Sequence, residues 1–464
     1  MDSTNFKGAG LSALQKINSN DNPATILKGL DIKPNKSLGQ NFLRDNIISK
    51  AIVESLDCNE NDVVIEIGPG LGALTQYLIG RVRKLILIEF DKKIFNLLNL
   101  IFEGHDDVKV INQDAVKFCH YDFFSNGGVK VIGNLPYSSG GEIIRNFLST
   151  PTPVKLAVFM LQKEVADRYC SVPRTKSYCS NTVLMGAKWE IKKLHEMSSE
   201  PFYPSPKINS SVISFKPLVN GSFKPYNERV LKRVLKCGFN ERRKQIKKRM
   251  PIGNYSWDHL CALVGINVQC RAEELDVNQW IELARLLDDN PFKDIPQKDS
   301  EIFDVVDSND QVIKQMDRLT IHREGLLHRA VHVFVFNRFG ELFLQKRSIF
   351  KDSSPGLWDS SCSGHLDTGE NYDSAAVREL SEELGVNSEM ELITMLKPTK
   401  KTGWEFIGLY EGSHNGPFDW PYSEIETGAF FRKETISNWI NERPQDFASG
   451  FIECFNSYKL IEEQ

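Results

Sequence analysis

Two short stretches of this 464-residue chain carry residue types and spacings suited to chemistry. The first is Asn134-Leu135-Pro136-Tyr137, which follows a strand-like run, Val129-Lys130-Val131-Ile132. The Asn134 side-chain carbonyl and the backbone carbonyl at Pro136 can accept hydrogen bonds from an exocyclic amine of a base. The Tyr137 ring can stack on the base face. Alone, the tetrapeptide is equally a strand-end turn; a glycine turn upstream, Glu66-Ile67-Gly68-Pro69-Gly70-Leu71-Gly72, gives it weight. The second stretch is Arg378-Glu379-Leu380-Ser381-Glu382-Glu383-Leu384-Gly385. Glu379, Glu382 and Glu383 fall at i, i+3 and i+4, on one helical face. Such carboxylates repel unless a divalent cation binds them, and Mg2+ or Mn2+ held there can bridge a diphosphate and activate water. Glu379 and Glu383 are the candidate catalytic pair. Arg378 can orient a carboxylate, and Gly385 can end the helix. The bland reading is an acidic surface helix.

The elements that must position these residues are legible as periodic runs. Between Pro23 and about Leu218, strand-like runs alternate with helical patterns: Val63–Ile67, Lys84–Glu89, Val108–Ile111, Val129–Ile132, Ala157–Met160 and Ser211–Phe215. This alternation predicts a Rossmann-like α/β domain, a parallel sheet with helices on both faces, over 24–220. The glycine turn leads to a helix expected to begin near Ala73, and its glycines let backbone approach a ligand closely. Glu89, ending the next strand, can bind two ribose hydroxyls. Asp114, ending the third, can accept from an adenine amine. A dinucleotide also fits a glycine turn followed by an acid, but needs the helix N-terminus free for pyrophosphate. Glu66 and Pro69 suit an amino-acid–nucleoside ligand, S-adenosylmethionine, better.

Residues 221–287 read as a basic helical subdomain. Arg229 to Arg249 hold ten Lys/Arg and one acid, Glu241. Arg242, Arg243, Lys247 and Lys248 lie in the densest part and suit RNA phosphates; a solvated helix face is the plainer alternative. Residues 1–23 read as a flexible tail, 288–300 as a linker with two prolines, and 301–464 as a second α/β domain.

Composition sets the frame. The chain is 41% hydrophobic and 25% charged, and long enough for two or three domains. No apolar run approaches the roughly 18 residues of a membrane span. Nine cysteines are scattered without a C-x-x-C pair, which points to reduced thiols and a cytoplasmic setting. The net charge of −4 hides an asymmetry: residues 301–464 hold 16 Lys+Arg against 28 Asp+Glu, the first 300 hold 41 against 33. A basic front suggests nucleic acid; an acidic back suggests metal cations or a solvated surface.

Five stretches occur in order: Lys36-Ser37-Leu38-Gly39-Gln40-Asn41-Phe42-Leu43, the glycine turn, Asn134–Tyr137, Met160-Leu161-Gln162-Lys163-Glu164-Val165-Ala166, and Phe202-Tyr203-Pro204-Ser205-Pro206-Lys207. Over about 24–286 the chain resembles the ribosomal RNA adenine N6-dimethyltransferase family. The resemblance implies S-adenosylmethionine-dependent dimethylation of two adjacent adenines in the 3′-terminal hairpin of small-subunit rRNA, within a pre-ribosomal particle. It implies cofactor contacts from Asn41, Leu43, Gly68, Gly70, Glu89, Asp114 and Asn134, with Tyr137 and Phe202 sandwiching the target adenine. The chain departs from the family after Tyr137, where Ser138-Ser139-Gly140-Gly141-Glu142 replaces the usual Asn-Ile-Ser/Thr-Thr/Ser-Pro. Two readings compete: an RNA- or DNA-binding factor without catalysis, and a large-subunit rRNA methyltransferase.

Gly364-(x5)-Glu370-(x7)-Arg378-Glu379 through Val386 resembles the Nudix box at every defined position. That implies an α/β/α sandwich, metal on Glu379, Glu382 and Glu383, and hydrolysis of a diphosphate-containing small molecule. Flanking stretches, Leu327–Asn337, Leu344–Ser348, Pro355–Asp359 and Glu424-Ile425-Glu426, resemble the isopentenyl-diphosphate isomerase branch. The isomerase's cysteine position is taken here by Ser363, with Cys362 adjacent, so hydrolysis is favoured over isomerisation. His328 and His365 are candidate extra ligands, Glu424 or Glu426 a further ligand or base, and Cys362 a small buried residue. A nucleotide sensor without hydrolysis is the binding-module alternative.

Overall fold

The computed structural model describes residues 27, 28, 34, 40–219, 222–253, 255–289 and 299–463. The expected tail 1–23, Lys36–Gly39 of the first motif, and linker residues 290–298 lie outside the described residues. The chain divides into two compact units between Asp288 and Asp289.

The front unit is built on seven strands: β1 Val63–Ile67, β2 Lys84–Glu89, β3 Val108–Asn112, β4 Val129–Asn134, β5 Val154–Gln162, β6 Trp189–Met197 and β7 Ser210–Pro217. Their order across the sheet is β3-β2-β1-β4-β5-β7-β6. The chain reverses its winding between β1 and β4, which opens a crevice at the strands' carboxyl ends. β1 to β5 pair in parallel, and β1 is buried at every position, as a strand covered on both faces must be. Apolar clusters pack on either face, one around Leu87, Leu98 and Val158, the other around Ile65, Phe147 and Phe159.

Two features differ from the parallel-sheet expectation. β7 runs antiparallel between β5 and β6. The link from Met197 to Ser210 is close to the lower limit for a crossover, and it carries the two-residue strand Phe202–Tyr203 instead of a helix. β6 is a charged, largely exposed edge strand with little apolar signal in its sequence. The helix after the glycine turn starts at Thr75 rather than Ala73, because Gly68, Gly70 and Gly72 all take positive φ and the chain needs a further turn to straighten.

In the 221–287 region, helices Glu228–Phe239, Trp257–Val264 and Val277–Leu286 enclose a core centred on Trp280. The densest basic run is not helical: after Asn240 the chain proceeds through turns to Arg249.

Among its described residues the back unit has nine strands: β8 Ile302–Val306, β9 Val312–Asp317, β10 His328–Phe336, β11 Leu342–Arg347, β12 Trp358–Asp359, β13 Cys362–His365, β14 Met390–Leu396, β15 Glu405–Ser413 and β16 Ile425–Phe431. β8 and β9 form a hairpin, and the others form a mixed sheet with β10 and β15 parallel at its centre. Alternation along β10 sends Val331, Val333 and Val335 to the helix Tyr372–Leu384 and Phe334 to the helix Ser449–Glu462. Helices thus cover both faces, the α/β/α arrangement expected. Among the described residues no helix is long and apolar enough to cross a membrane.

Candidate active sites

The front site is a cavity of about 420 Å³ at the carboxyl ends of β1, β2 and β4. Asn41, Leu43, Gly68, Gly70, Glu89, Asp114, Asn134 and Pro136 all line it. Gly70 N donates to Glu89 Oε2 at 3.3 Å, and Asp91 N to Oε1 at 2.8 Å. These bonds hold the Glu89 carboxyl at the rim of the glycine turn. Burial pushes its pKa up to about 7. Glu66, behind it, accepts from Thr75 Oγ1 at 2.8 Å, and burial pushes it up to about 8. Asp114 Oδ1 is engaged by Val116 N at 2.9 Å. Asn134 Nδ2 donates to the Asn41 carbonyl at 2.8 Å, so its Oδ1 is the atom available to an incoming amine.

Beyond that cavity, the Tyr137 hydroxyl lies 3.1 Å from Ser210 Oγ, which ties the half-buried ring to the start of β7. Phe202 is 1% exposed, pairs with Leu43 and packs in the core instead of offering an open face. Phe90, missed in the sequence, lines the cavity and is 57% exposed. Its only sequence signal is an aromatic directly after Glu89. Of the basic residues, Arg242 is spent internally, on Glu273 at 2.7 Å and the carbonyls of Thr175 and Lys176. Arg243, Lys247 and Lys248 are exposed, with Lys247 3.6 Å from Asp258.

The back site is built on the helix Tyr372–Leu384, which Asn371 caps and Gly385 ends with φ +66°. Arg378 gathers the acids: Nε and Nη2 bind Glu370 at 3.1 and 2.9 Å, and Nη1 binds Glu379 at 2.7 Å and Glu382 at 3.1 Å. Its Nη2 also donates to the His365 carbonyl, pinning the loop to the helix. Burial pushes Glu379 up to about 7 and Glu383 up to about 8; Glu424 adds to both, while Arg378 and Lys351 respectively work against the rise. Glu424 pairs with Lys351 at 3.2 Å and Glu426 with Lys346 at 3.1 Å. Glu382 is exposed. Cys362 is buried, its thiol pushed well up by burial and neighbouring acids, so it is no nucleophile at neutral pH.

On the other face of β13, nitrogens of His322, His328 and His365 lie within 4.8 Å of one another. His328 Nδ1 is 2.8 Å from the Leu326 carbonyl, and Glu405 Oε1 lies 3.5 Å from His328 Nε2 and 3.2 Å from His365 Nε2. Burial raises the Glu405 carboxyl, but the two imidazoles outweigh it and hold it well below the usual range. His322 comes from the helix Arg318–Glu324, outside every motif read in the sequence.

Residues 32–289, more than half the chain, match the family model described as ribosomal RNA adenine dimethylase. The chain belongs to the ribosomal RNA adenine dimethylase family. Residues 326–443 match the NUDIX domain model. A protein of Syntrophus aciditrophicus named Ribosomal RNA small subunit methyltransferase A is 34% identical over 276 residues, covering 56% of this chain and 97% of that protein. One of the same name from Halothermothrix orenii is 32% identical over 273 residues, covering 56% of this chain and 91% of that protein. A solved dimethyladenosine transferase from Plasmodium falciparum is 22% identical, covering 52% of this chain and 95% of that one, with a TM-score of 0.44.

The adenine dimethylase unit therefore works with S-adenosylmethionine on ribosomal RNA, and the back unit carries a Nudix domain. Its Nudix box is the segment from Gly364 to Val386, whose acids Arg378 gathers.

Proposed function

We propose that the front unit dimethylates N6 of two adjacent adenines in the 3′-terminal hairpin of small-subunit rRNA, and that the back unit hydrolyses a diphosphate-containing small molecule with Mg2+ or Mn2+. The observation that carries the first part is the Asn41–Asn134 hydrogen bond beside a cavity with two buried acids. The cavity fits S-adenosylmethionine: Glu89 can accept from ribose hydroxyls, Asp114 from the adenine amine, and Gly68 and Gly70 let a ligand lie against backbone. The bound cofactor supplies a methyl group on a positively charged sulfonium.

Asn134 Oδ1 and the Pro136 carbonyl would accept the two N6 hydrogens of the target adenine. That favours a pyramidal amine whose lone pair is less delocalised into the ring. As the N–CH3 bond formed, the sulfonium S–CH3 bond would break to leave a neutral thioether, and the amine would pass its proton to water, so no strong base is asked of this chain. Alignment supplies most of the rate. Tyr137 would hold the unstacked base from one face; Phe202 would serve the other face only after turning out of the core. Arg243, Lys247 and Lys248 would meet phosphates, with Arg242 shaping the turn that presents them.

In the back unit, Glu379, Glu382 and Glu383 are the proposed cation ligands. Their fit rests on two buried carboxylates one turn apart on the same helical face, both raised by burial and Glu383 further by Glu379, a cluster a cation would relieve. A bound divalent cation supplies a lowered pKa for water and neutralises diphosphate charge. Arg378 would orient Glu379, and Glu424 or Glu426 would act as base or further ligand. A second reading, isomerase-like, is favoured by His322, His328 and His365, a donor set suited to a transition metal, with Glu405 beside two of them. Allylic isomer formed from isopentenyl diphosphate would establish that reading.

We further propose the boundaries 24–220, 221–287 and 301–464, and a cytoplasmic site of action with pre-ribosomal particles as partner. The test is tritium transfer from labelled S-adenosylmethionine to immature small subunits. Label as dimethyladenosine in the 3′-terminal hairpin supports the reading. Binding without transfer would make the front unit a binding factor, and label in the large subunit would redirect the substrate.

A further inference from the structure

We infer that Gln345, outside the Nudix box, is a positioning residue that selects which oxygen of Glu383 meets the cation. This rests on reading Glu379, Glu382 and Glu383 as the cation site. Gln345 is 1% exposed and Glu383 is 4% exposed. Gln345 Nε2 donates to Glu383 Oε2 at 3.0 Å, and the backbone N–H of Ser363 donates to the same oxygen at 3.1 Å. Two N–H donors on one oxygen leave Oε1 as the atom free to bind a cation.

The glutamine is itself held. It sits in β11 between Gly428 of β16 and Asp359 of β12, so its backbone is bonded on both sides. Neither a cationic nor an apolar side chain fills this role. A lysine would place a positive charge where the cation must sit. An apolar side chain would remove a donor that favours the charged carboxylate over the acid. Gln345 and Ser363 reach Glu383 from two strands, whereas Arg378 reaches Glu379 from within the helix. The two metal-facing acids are thus oriented by independent supports.

Partners that orient a metal ligand are worth about 10- to 100-fold in metal affinity. The test is Mn2+ binding alone, followed by EPR on the full chain, for wild type, Glu383→Gln, Gln345→Met and Gln345→Asn. Met keeps the volume and removes the donor. Asn keeps the amide but withdraws it by one methylene, and serves should the Met variant not fold. Expected is Mn2+ binding at least about tenfold weaker in both Gln345 variants, with an altered line shape for the bound ion. A residue that only packs would shift the melting temperature and leave both readouts in place. If wild type and Glu383→Gln bind Mn2+ alike, the cation-site reading fails and this inference with it. If Glu383→Gln loses the ion while both Gln345 variants bind within twofold of wild type, this inference alone is overturned.

Discussion

Gly364 and Glu379 share a space that only glycine leaves open: a β-carbon at 364 would fall inside the Glu379 carboxylate. Strand pairing with Val331 holds the Gly364 backbone, so an added methyl must push the Glu379 carboxylate away from the seat Arg378 gives it. Gly364→Ala should therefore lower Mn2+ affinity by about 100-fold, as expected when a metal ligand is displaced. An Mn2+ titration followed by EPR checks this, with methyl transfer by the same variant expected to stay at the wild-type rate.

Asn134→Ala removes the acceptor aimed at the incoming amine. The expected loss is about 10²- to 10³-fold in methyl transfer, the scale for deleting one preorganised hydrogen-bond partner. Single-turnover transfer to immature small subunits measures it.

Tyr137 separates stacking from hydrogen bonding. Tyr137→Phe keeps the ring and loses only the contact to Ser210. A cost of a few-fold is expected. Tyr137→Ala also loses stacking, worth about 1–3 kcal/mol per base, or roughly 10- to 100-fold. Equal losses in the two variants would show that the ring does not stack. RNA affinity and transfer rate, measured for both, decide it.

Cation binding by the Nudix unit should depend on pH. Burial holds Glu379 at about 7 and Glu383 at about 8. A raised carboxyl keeps a proton in the folded state that the unfolded state has already lost above about pH 4.5. Each therefore costs stability as pH rises from there through 7 to 8. The cation must displace those protons, so its affinity should rise between pH 6 and 9 and binding at pH 7 should release protons. Calorimetry with Mg2+ in buffers of different ionisation enthalpy measures the release. Stabilisation by Mg2+ should be larger at pH 8.5 than at 6.

S-adenosylmethionine affinity should also fall on acidification below about 7, because Glu89 loses its charge there. Glu89→Gln should flatten that dependence. Equilibrium binding across pH 5.5–8.5 tests both statements.

What could be read along the chain was what depends on neighbours in sequence. The strand runs such as Val63–Ile67 are buried on both faces and announce themselves as unbroken apolar stretches. Glu379, Glu382 and Glu383 share a face because helical spacing alone puts them there. Gly385 ends that helix because glycine takes positive φ at no steric cost. Tertiary structure decided the rest, through burial and through contacts between distant segments. The family resemblance implies that Phe202 stacks on the target base, yet strand pairing with Leu43 folds it into the core. Arg242 belongs to a basic run, yet a turn after Asn240 delivers it to Glu273. The bond from Asn134 to Asn41, the grip of Gln345 on Glu383 and the meeting of His322 with His365 join residues 93, 38 and 43 positions apart. No periodicity reports such pairs, because the strand order that brings them together comes from how the sheets close, not from any local pattern.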